Sequence, residues 1–342
     1  MGGEIAVAEV EPCLAAEALE CGHEGPGLVA PTPSQLRVVQ AGEGVEQGID
    51  IGRDRQPEMF EIVAGVGDDF EHLGLAISPD IDTLLYTLAG LDNPQLGWGR
   101  RDETWTFMAA LERLGGETWF NLGDGDVATH VERTRRLGAG ESLSEITDDF
   151  RRRLGISVRL LPMSNDRVRT RLRTVEGWLD FQDYFVRQHC APVVREIAFA
   201  GADVARPQPD FLAALADENL RAVVICPSNP FISIDPILGL PGVCEALRAC
   251  AAPVIAVSPI IGGKAVKGPT AKMMAELGLI VDAAAVARHY GDILDLYIAD
   301  EADTEEIHGL GVPVIFARTL MLSLEDREAL ARVVLEAAGR GL

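Results

Sequence analysis

The chain has 342 residues, 53 of them acidic and 30 basic, a formal net charge of −23, and a hydrophobic content of 47%. That is the composition of a soluble globular protein with enough apolar mass for a core, and the length allows one large α/β domain or two smaller ones. The acid excess excludes a nucleic-acid surface, which needs clustered Lys and Arg, but leaves room for one small anionic ligand in a local loop.

Residues 1–62 hold 12 acids, three arginines and a single aromatic residue, Phe60. A short helix around Glu11 to Leu19 is expected there. The stretch from Gly22 to Gly52, rich in Gly, Pro, Ser and Gln, reads as loop or disorder. The predicted division is therefore an atypical, poorly ordered segment over 1–60 and one α/β domain over 61–342, with a helical insertion around 100–190. From Glu61 the pattern tightens. Glu61 to Ala64 closes a strand before the polar turn GVGDD. Thr83 to Leu91 is apolar at helical spacing, and Arg101 to Leu114 reads as a helix ended by Gly115-Gly116. His130 to Leu137 and Ser144 to Leu154 are further helices. Val158 to Leu161 and Arg169 to Thr174 read as strands, with a turn at Val175-Glu176-Gly177.

The second half has a plainer βα rhythm. Buried-strand runs cover Ala222 to Cys226, Pro253 to Val257, Leu294 to Ala299 and Pro313 to Ala317. Ser323 and Asp326 are placed to cap a last helix that Gly339 stops. The expected fold is α/β and Rossmann-like, a mostly parallel sheet with helices on both faces. Ligands of such sheets sit beyond the carboxyl ends of the strands, where GDD, PSNP and SPIIGGKAVKG fall.

No run of about 18 apolar residues occurs, so no membrane span is expected. The opening MGGEIAVAEVEP has acids where a secretory signal needs a basic segment. Cys13, Cys21, Cys190, Cys226, Cys244 and Cys250 match no common zinc spacing and read as free thiols. A cytoplasmic location follows.

Four clusters could carry chemistry. Asp68, Asp69, Asp80 and Asp82 lie close together in GDDFEHLGLAISPDID, and carboxylates from two loops at a strand end can hold one Mg²⁺. The alternative is that they are turn and cap residues, with Asp82 at an N-cap. Gly123-Asp124-Gly125-Asp126 reads as a tight loop before a helix, with His130 a structural residue rather than a ligand. Pro227-Ser228-Asn229-Pro230 is either a structural turn or a rigid loop offering hydrogen bonds to a heterocycle or phosphate. Lys264 and Lys267, in a Gly-containing loop of a strongly acidic chain, point to a local anion site, although the Walker A spacing is missing. No GxSxG, HExxH or Cys-His signature indicates a covalent nucleophile. The chemistry suggested is metal-assisted transfer at phosphorus.

The segments GDDFEHLGLAISPDIDTLLYTLAGL, GWGRRDETW, WFNLGDGDVATHVERTRRLGAGESLSEIT, LPMSNDRVRT, GWLDFQDYFV, VVICPSNPFISIDPIL and AVSPIIGGKAVKGP resemble, in order, the 2-phospho-L-lactate transferase family of coenzyme F420 biosynthesis. The family includes bacterial phosphoenolpyruvate-transferring members. The resemblance spans about residues 66 to 320. It implies that the ribityl hydroxyl of FO (7,8-didemethyl-8-hydroxy-5-deazariboflavin) attacks a phosphorus of a guanosine diphosphate ester of enolpyruvate or lactate, releasing GMP. It implies Mg²⁺ held by Asp68, Asp69 and Asp82, and catalytic roles for Asp82 and Asp69. Substrate contacts fall to Asp82, Gly125, Ser228, Asn229, Lys264 and Lys267. It also implies a homodimer whose partners are small molecules, with neither nucleic acid nor membrane.

Three departures stand out. The family's opening strand and GGxGG loop are not found in residues 1–62. Gly65 stands where an Asn usually precedes GDD. Gly125 replaces an Arg that contacts FO. Either the chain is a divergent homologue, or the first 60 or so residues reflect a frameshift or misplaced start, which the abrupt onset near Val63 favours. A second functional reading stays open beside the transferase: a non-catalytic nucleotide-binding protein resembling the gluconeogenesis-factor family.

Overall fold

The computed structural model describes residues 35–40, 60–93, 99–266 and 268–339. The strands β1 (Gln35–Gln40) and β2 (Phe60–Ala64) open it, followed by the hairpin β3 (Phe70–His72) and β4 (Leu75–Ile77). Helix α1 (Pro79–Leu88) leads to α2 (Thr106–Arg113), α3 (Asp124–Gly138) and α4 (Leu143–Arg153). Strand β5 (Arg159–Pro162) comes next. A separate antiparallel sheet follows, built from β6 (Arg169–Thr174), β7 (Gly177–Asp180) and β8 (Glu196–Ala200) in the order β7-β6-β8. The second half runs α5 (Pro209–Leu215), β9 (Leu220–Ile225), α6 (Asp235–Leu238), α7 (Val243–Ala249) and β10 (Val254–Val257). The small hairpin β11 (Ile260–Ile261) and β12 (Lys264–Ala265) precedes α8 (Thr270–Glu276) and α9 (Ala283–Tyr290). The chain ends in β13 (Leu296–Asp300), β14 (Val314–Ala317) and α10 (Leu324–Ala338).

The main sheet has the order β14-β13-β10-β9-β1-β2-β5. Neighbours are parallel except around β1, which is antiparallel to both β9 and β2. The remaining strands therefore share one direction, and the loops after β2, β9 and β10 emerge on the same edge. Period-two alternation sends successive side chains to opposite faces. Val223, Ile225, Val254, Ala256, Tyr297 and Ala299 face a large core built with α1, α5, α7 and α9. Their neighbours Val224, Ile255, Val257, Leu296 and Ile298 pack with Leu330, Val334 and Ala337 of α10. The α/β, Rossmann-like fold with helices on both faces is the one expected.

Three local readings change. Helix α1 begins at Pro79, not Thr83, because Ser78-Pro79 supplies an N-cap position and a proline at the first turn. Helix α2 begins at Thr106, not Arg101, because the preceding turn is tied to the start of α3: the Thr104 hydroxyl donates to Asp124, and the Glu103 carboxylate accepts from the Gly125 amide. Strand β1 lies in the stretch read as loop: QLRVVQ is short, and its pairing comes from partners far along the chain. The expected helix at Glu11 to Leu19 lies outside the described residues. Cys190, Cys226, Cys244 and Cys250 form no disulfide. No described helix is long and apolar enough by itself to cross a membrane.

Candidate functional site

The loop after β2 carries the acids. Its turn is seated between β6 and α6: the Thr170 amide donates to the Gly67 carbonyl at 2.7 Å, and a Cβ at Gly67 would come within 2.8 Å of Thr170 Oγ1 and 3.1 Å of the Pro236 ring. Only glycine fits this approach. Gln182 Nε2 donates to the Asp68 carbonyl at 3.3 Å.

Asp68 and Asp69 are buried. Neither Asp68 oxygen, nor Asp69 Oδ1, has a hydrogen-bond partner among the described residues. Asp69 Oδ2 accepts from Ser78 Oγ at 3.0 Å. Burial pushes Asp68 well above the usual carboxylate range, and the charges of Asp80 and Asp69 add to it. Burial also pushes Asp69 up to about 7, against the pull of Arg169 and Arg133. Buried carboxylate oxygens without donors are costly unless something compensates them. Three such oxygens on adjacent residues suit a hard divalent cation, which takes oxygen ligands and keeps several waters.

Asp82 has a different role. It sits inside α1, so it is not the N-cap, and its amide makes a regular helical bond to the Ser78 carbonyl at 2.9 Å. Its carboxylate is gripped at both oxygens by Arg133 of α3, with Nη1 donating to Oδ2 at 3.0 Å and Nη2 to Oδ1. Arg133 is buried and also donates to the Ala76 carbonyl at 3.4 Å. His130 Nδ1 lies 3.6 Å from Asp82 Oδ2, and burial lowers this imidazole to about 4, so it is neutral at pH 7. Among the described residues no three His, Cys, Asp or Glu side chains converge to hold a metal. Asp68 and Asp69 fit a Mg²⁺ ligated partly by water and substrate; Asp82, spent on Arg133, does not.

The glycines at the start of α3 have a packing reason. The amides of Gly125 and Asp126 donate to the Glu103 carboxylate at 2.7 and 3.1 Å. A Cβ at Gly123 would lie 2.3 Å from Glu103 Cδ, and one at Gly125 would lie 2.6 Å from Glu103 Oε1. Asp124 ties α3 to α2, accepting from the Thr104 hydroxyl at 2.6 Å and the Phe107 amide at 2.9 Å. Thus Asp124, Gly125 and Asp126 form the first turn of the helix, not a loop before it.

After β9, Asn229 accepts from the amides of Phe231 and Ile232 at 3.0 and 3.4 Å and so caps the turn of Pro230–Ile234. Ser228 is buried beside it. After β10, the hairpin presents Lys264 to solvent, while the Gly262 amide is held at 2.8 Å by the buried Asp303. Lys267 lies outside the described residues. A charged surface cleft of about 720 Å³, lined by residues such as Arg136, Asp149 and Arg153 of α3 and α4, contains none of the predicted site residues, and these three charges pair with one another. Arg133 and Glu103 were not predicted. Arg133 lies in the charged run ERTRRL, and the only pointer to Glu103 was the pair of glycines flanking Asp124.

The family model described as 2-phospho-L-lactate transferase CofD matches residues 48–320. A phosphoenolpyruvate transferase of Kitasatospora aureofaciens is 42% identical over 278 residues, covering 80% of this chain and 86% of its own. One from Streptomyces griseus is 40% identical, covering 81% and 89%. One from Mycobacterium tuberculosis is 40% identical over 310 residues, covering 85% and 92%. Two crystal structures of one Bacillus halodurans protein, described in one case as a member of the UPF0052 family, share the fold. Their TM-scores are 0.52 and 0.50, at 15% and 16% identity, over 80% and 79% of this chain and 90% of theirs. With most of its length matched in this way, the chain belongs to the 2-phospho-L-lactate transferase CofD family, a family of transferases.

Proposed function

We propose that the protein transfers a phosphoenolpyruvyl or 2-phospholactyl group from a guanosine diphosphate ester to the terminal hydroxyl of FO. The hydroxyl oxygen forms the new P–O bond. The bond from that phosphorus to GMP breaks, and its electron pair leaves with GMP. The names of the relatives favour the enolpyruvyl group. The observation that carries the reading is the set of three unpartnered carboxylate oxygens on Asp68 and Asp69 at the carboxyl end of β2.

Asp68 would hold Mg²⁺, with water and phosphate oxygens completing its shell; the ion would neutralise diphosphate charge. Asp69, with Oδ2 held by Ser78 and Oδ1 unpartnered, would take the hydroxyl proton beside the ion. Lys264, exposed beyond β10, is available to the diphosphate. Asp82 orients the site through Arg133 instead of meeting substrate. The assembly is a homodimer in this reading, which sedimentation tests.

Incubation of the protein with FO, Mg²⁺ and enolpyruvyl or lactyl guanosine diphosphate should release GMP and yield a new deazaflavin product. Folded protein that yields neither would leave the non-catalytic nucleotide-binding reading in its place.

A further inference from the structure

Asp303 ends the short helical turn Glu301–Asp303 that follows β13, and it is wholly buried at 0% exposure. Strand β13 runs parallel to β10, so this turn leaves the sheet on the same edge as the hairpin of β11 and β12. The turn is fastened at both ends. Asp300 Oδ1 accepts from the Ala302 amide at 3.0 Å, and its Oδ2 accepts from the Thr319 amide at 2.8 Å and the Thr319 hydroxyl at 3.1 Å. The Asp303 carbonyl accepts from the amides of Glu306 and Ile307 at 3.0 and 3.2 Å. Its carboxylate is therefore set on a fixed backbone.

The hairpin beside it is anchored at its base, where Ile260 is buried and Ser258 Oγ donates to the Ile260 carbonyl at 2.9 Å. Its tip is Gly262-Gly263, with φ of +55° and +70°, the left-handed pair of a two-residue hairpin loop. A Cβ at Gly262 would meet nothing within 4 Å, and one at Gly263 only the Val281 carbonyl, at 3.6 Å. Adjacent glycines lose the most conformational freedom on ordering, so such a tip needs a tether. Asp303 Oδ1 supplies one by accepting from the Gly262 amide at 2.8 Å. Asp303 Oδ2 has no partner among the described residues, a cost to stability that a turn serving the fold alone would not require. Two residues beyond the held amide, Lys264 pairs across the hairpin with Ile261 and stands exposed.

We propose that Asp303 is a positioning residue: by holding the Gly262 amide it fixes the Gly-Gly tip and so sets where Lys264 meets the diphosphate of the guanosine ester. Asp303 itself touches no substrate. The inference rests on the transfer reading for its ligand, a nucleoside diphosphate. A tip held in place lowers the ordering cost of binding, so releasing it should appear in affinity and not in the rate of the chemical step.

Calorimetric titration with GDP and Mg²⁺ tests it, on wild type, Asp303→Ala, Asp303→Asn, Lys264→Ala and the double variant Asp303→Ala with Lys264→Ala, each with a melting curve as a folding control. Lys264→Ala should bind GDP about tenfold more weakly. Asp303→Ala should bind it about threefold or more weakly, whereas Asp303→Asn, which keeps an acceptor for the amide, should stay within about twofold of wild type. The double variant should bind no more weakly than Lys264→Ala, because Asp303 acts through Lys264. Asp303→Ser, too short to reach the amide, stands in if the alanine variant does not fold. The inference is overturned if wild type does not bind GDP, if Asp303→Ala binds as wild type does, or if Asp303→Asn falls as far as Asp303→Ala. Single losses that multiply in the double variant, or failure of both truncated variants to fold, would overturn it as well. GDP binding that follows the expected pattern without any GMP release would leave this inference standing and sink the transfer reading; GMP release with an affinity indifferent to Asp303 would do the reverse.

Discussion

Arg133 of α3 grips both carboxylate oxygens of Asp82 on α1, and both residues are buried. The pair fastens the helix that follows the acidic loop to the helix that Glu103 caps. Its burial makes it costly to break from one side, because the remaining charge is left without a partner.

Arg133→Ala should therefore destabilise the protein by about 3–5 kcal/mol. Asp82→Asn with Arg133→Met, which removes both charges, should cost much less than the single change. Urea unfolding of the two variants checks this. A single change within about 0.5 kcal/mol of wild type would show that the pair does not hold the helices.

Asp68→Asn separates folding from function. Both Asp68 oxygens are buried without partners, so neutralising the group should raise apo-protein stability by about 1–3 kcal/mol. The same change should abolish Mg²⁺-dependent GMP release. A variant that is destabilised and fully active would remove Asp68 from the site.

The α3 terminus predicts a steric effect. Gly125→Ala places a Cβ 2.6 Å from Glu103 Oε1 and must displace that carboxylate from the Gly125 and Asp126 amides. Loss of a helix cap costs about 0.5–2 kcal/mol. Glu103→Ala should match Gly125→Ala in thermal melting, and the double variant should be no worse than either.

Two buried groups give opposite pH dependences. Burial pushes Asp126 up to about 7, with the Asp82 charge adding to it. The native state then keeps a proton that the unfolded chain releases near pH 4, so this contribution is full at low pH and is lost as pH rises through about 7. His130, lowered to about 4 by burial, behaves in reverse: its contribution is present above about 6.5 and is lost as pH falls toward 4. Asp126→Asn should gain stability over wild type more at pH 8 than at pH 5. His130→Gln should flatten the loss between pH 6.5 and 4. Denaturation midpoints across pH 4–8 decide both, and parallel wild-type and variant curves would rule out either group.

The parallel strands were legible because each is a short apolar run bounded by turn residues. The Ser323–Asp326 capping box was legible because both halves lie within one turn. Asp68 and Asp69 were read as either ion ligands or turn residues, and their burial without partners was not legible, because elements far along the chain close over the loop. The real task of Asp82 was not, because its partner lies on another helix and Arg133 looks no different from its exposed neighbour Arg135. Asn229 shows the converse. The sequence left its loop open between turn and ligand, and its side-chain oxygen is taken by two amides.

The reversed strand β1 bears on how the chain reaches its fold. Among the described residues it is the only link in the sheet order between the β9 side and the β2–β5 side, and it pairs Leu36 with both Val63 and Ile225. Half of its backbone donors and acceptors must therefore wait for residues made much later in synthesis. Closing so long a loop is slow, since chain entropy is lost before the contacts repay it. A β1–β2 pair formed before β9 arrives would have an open edge, and an open edge exposes a growing chain to wrong pairing.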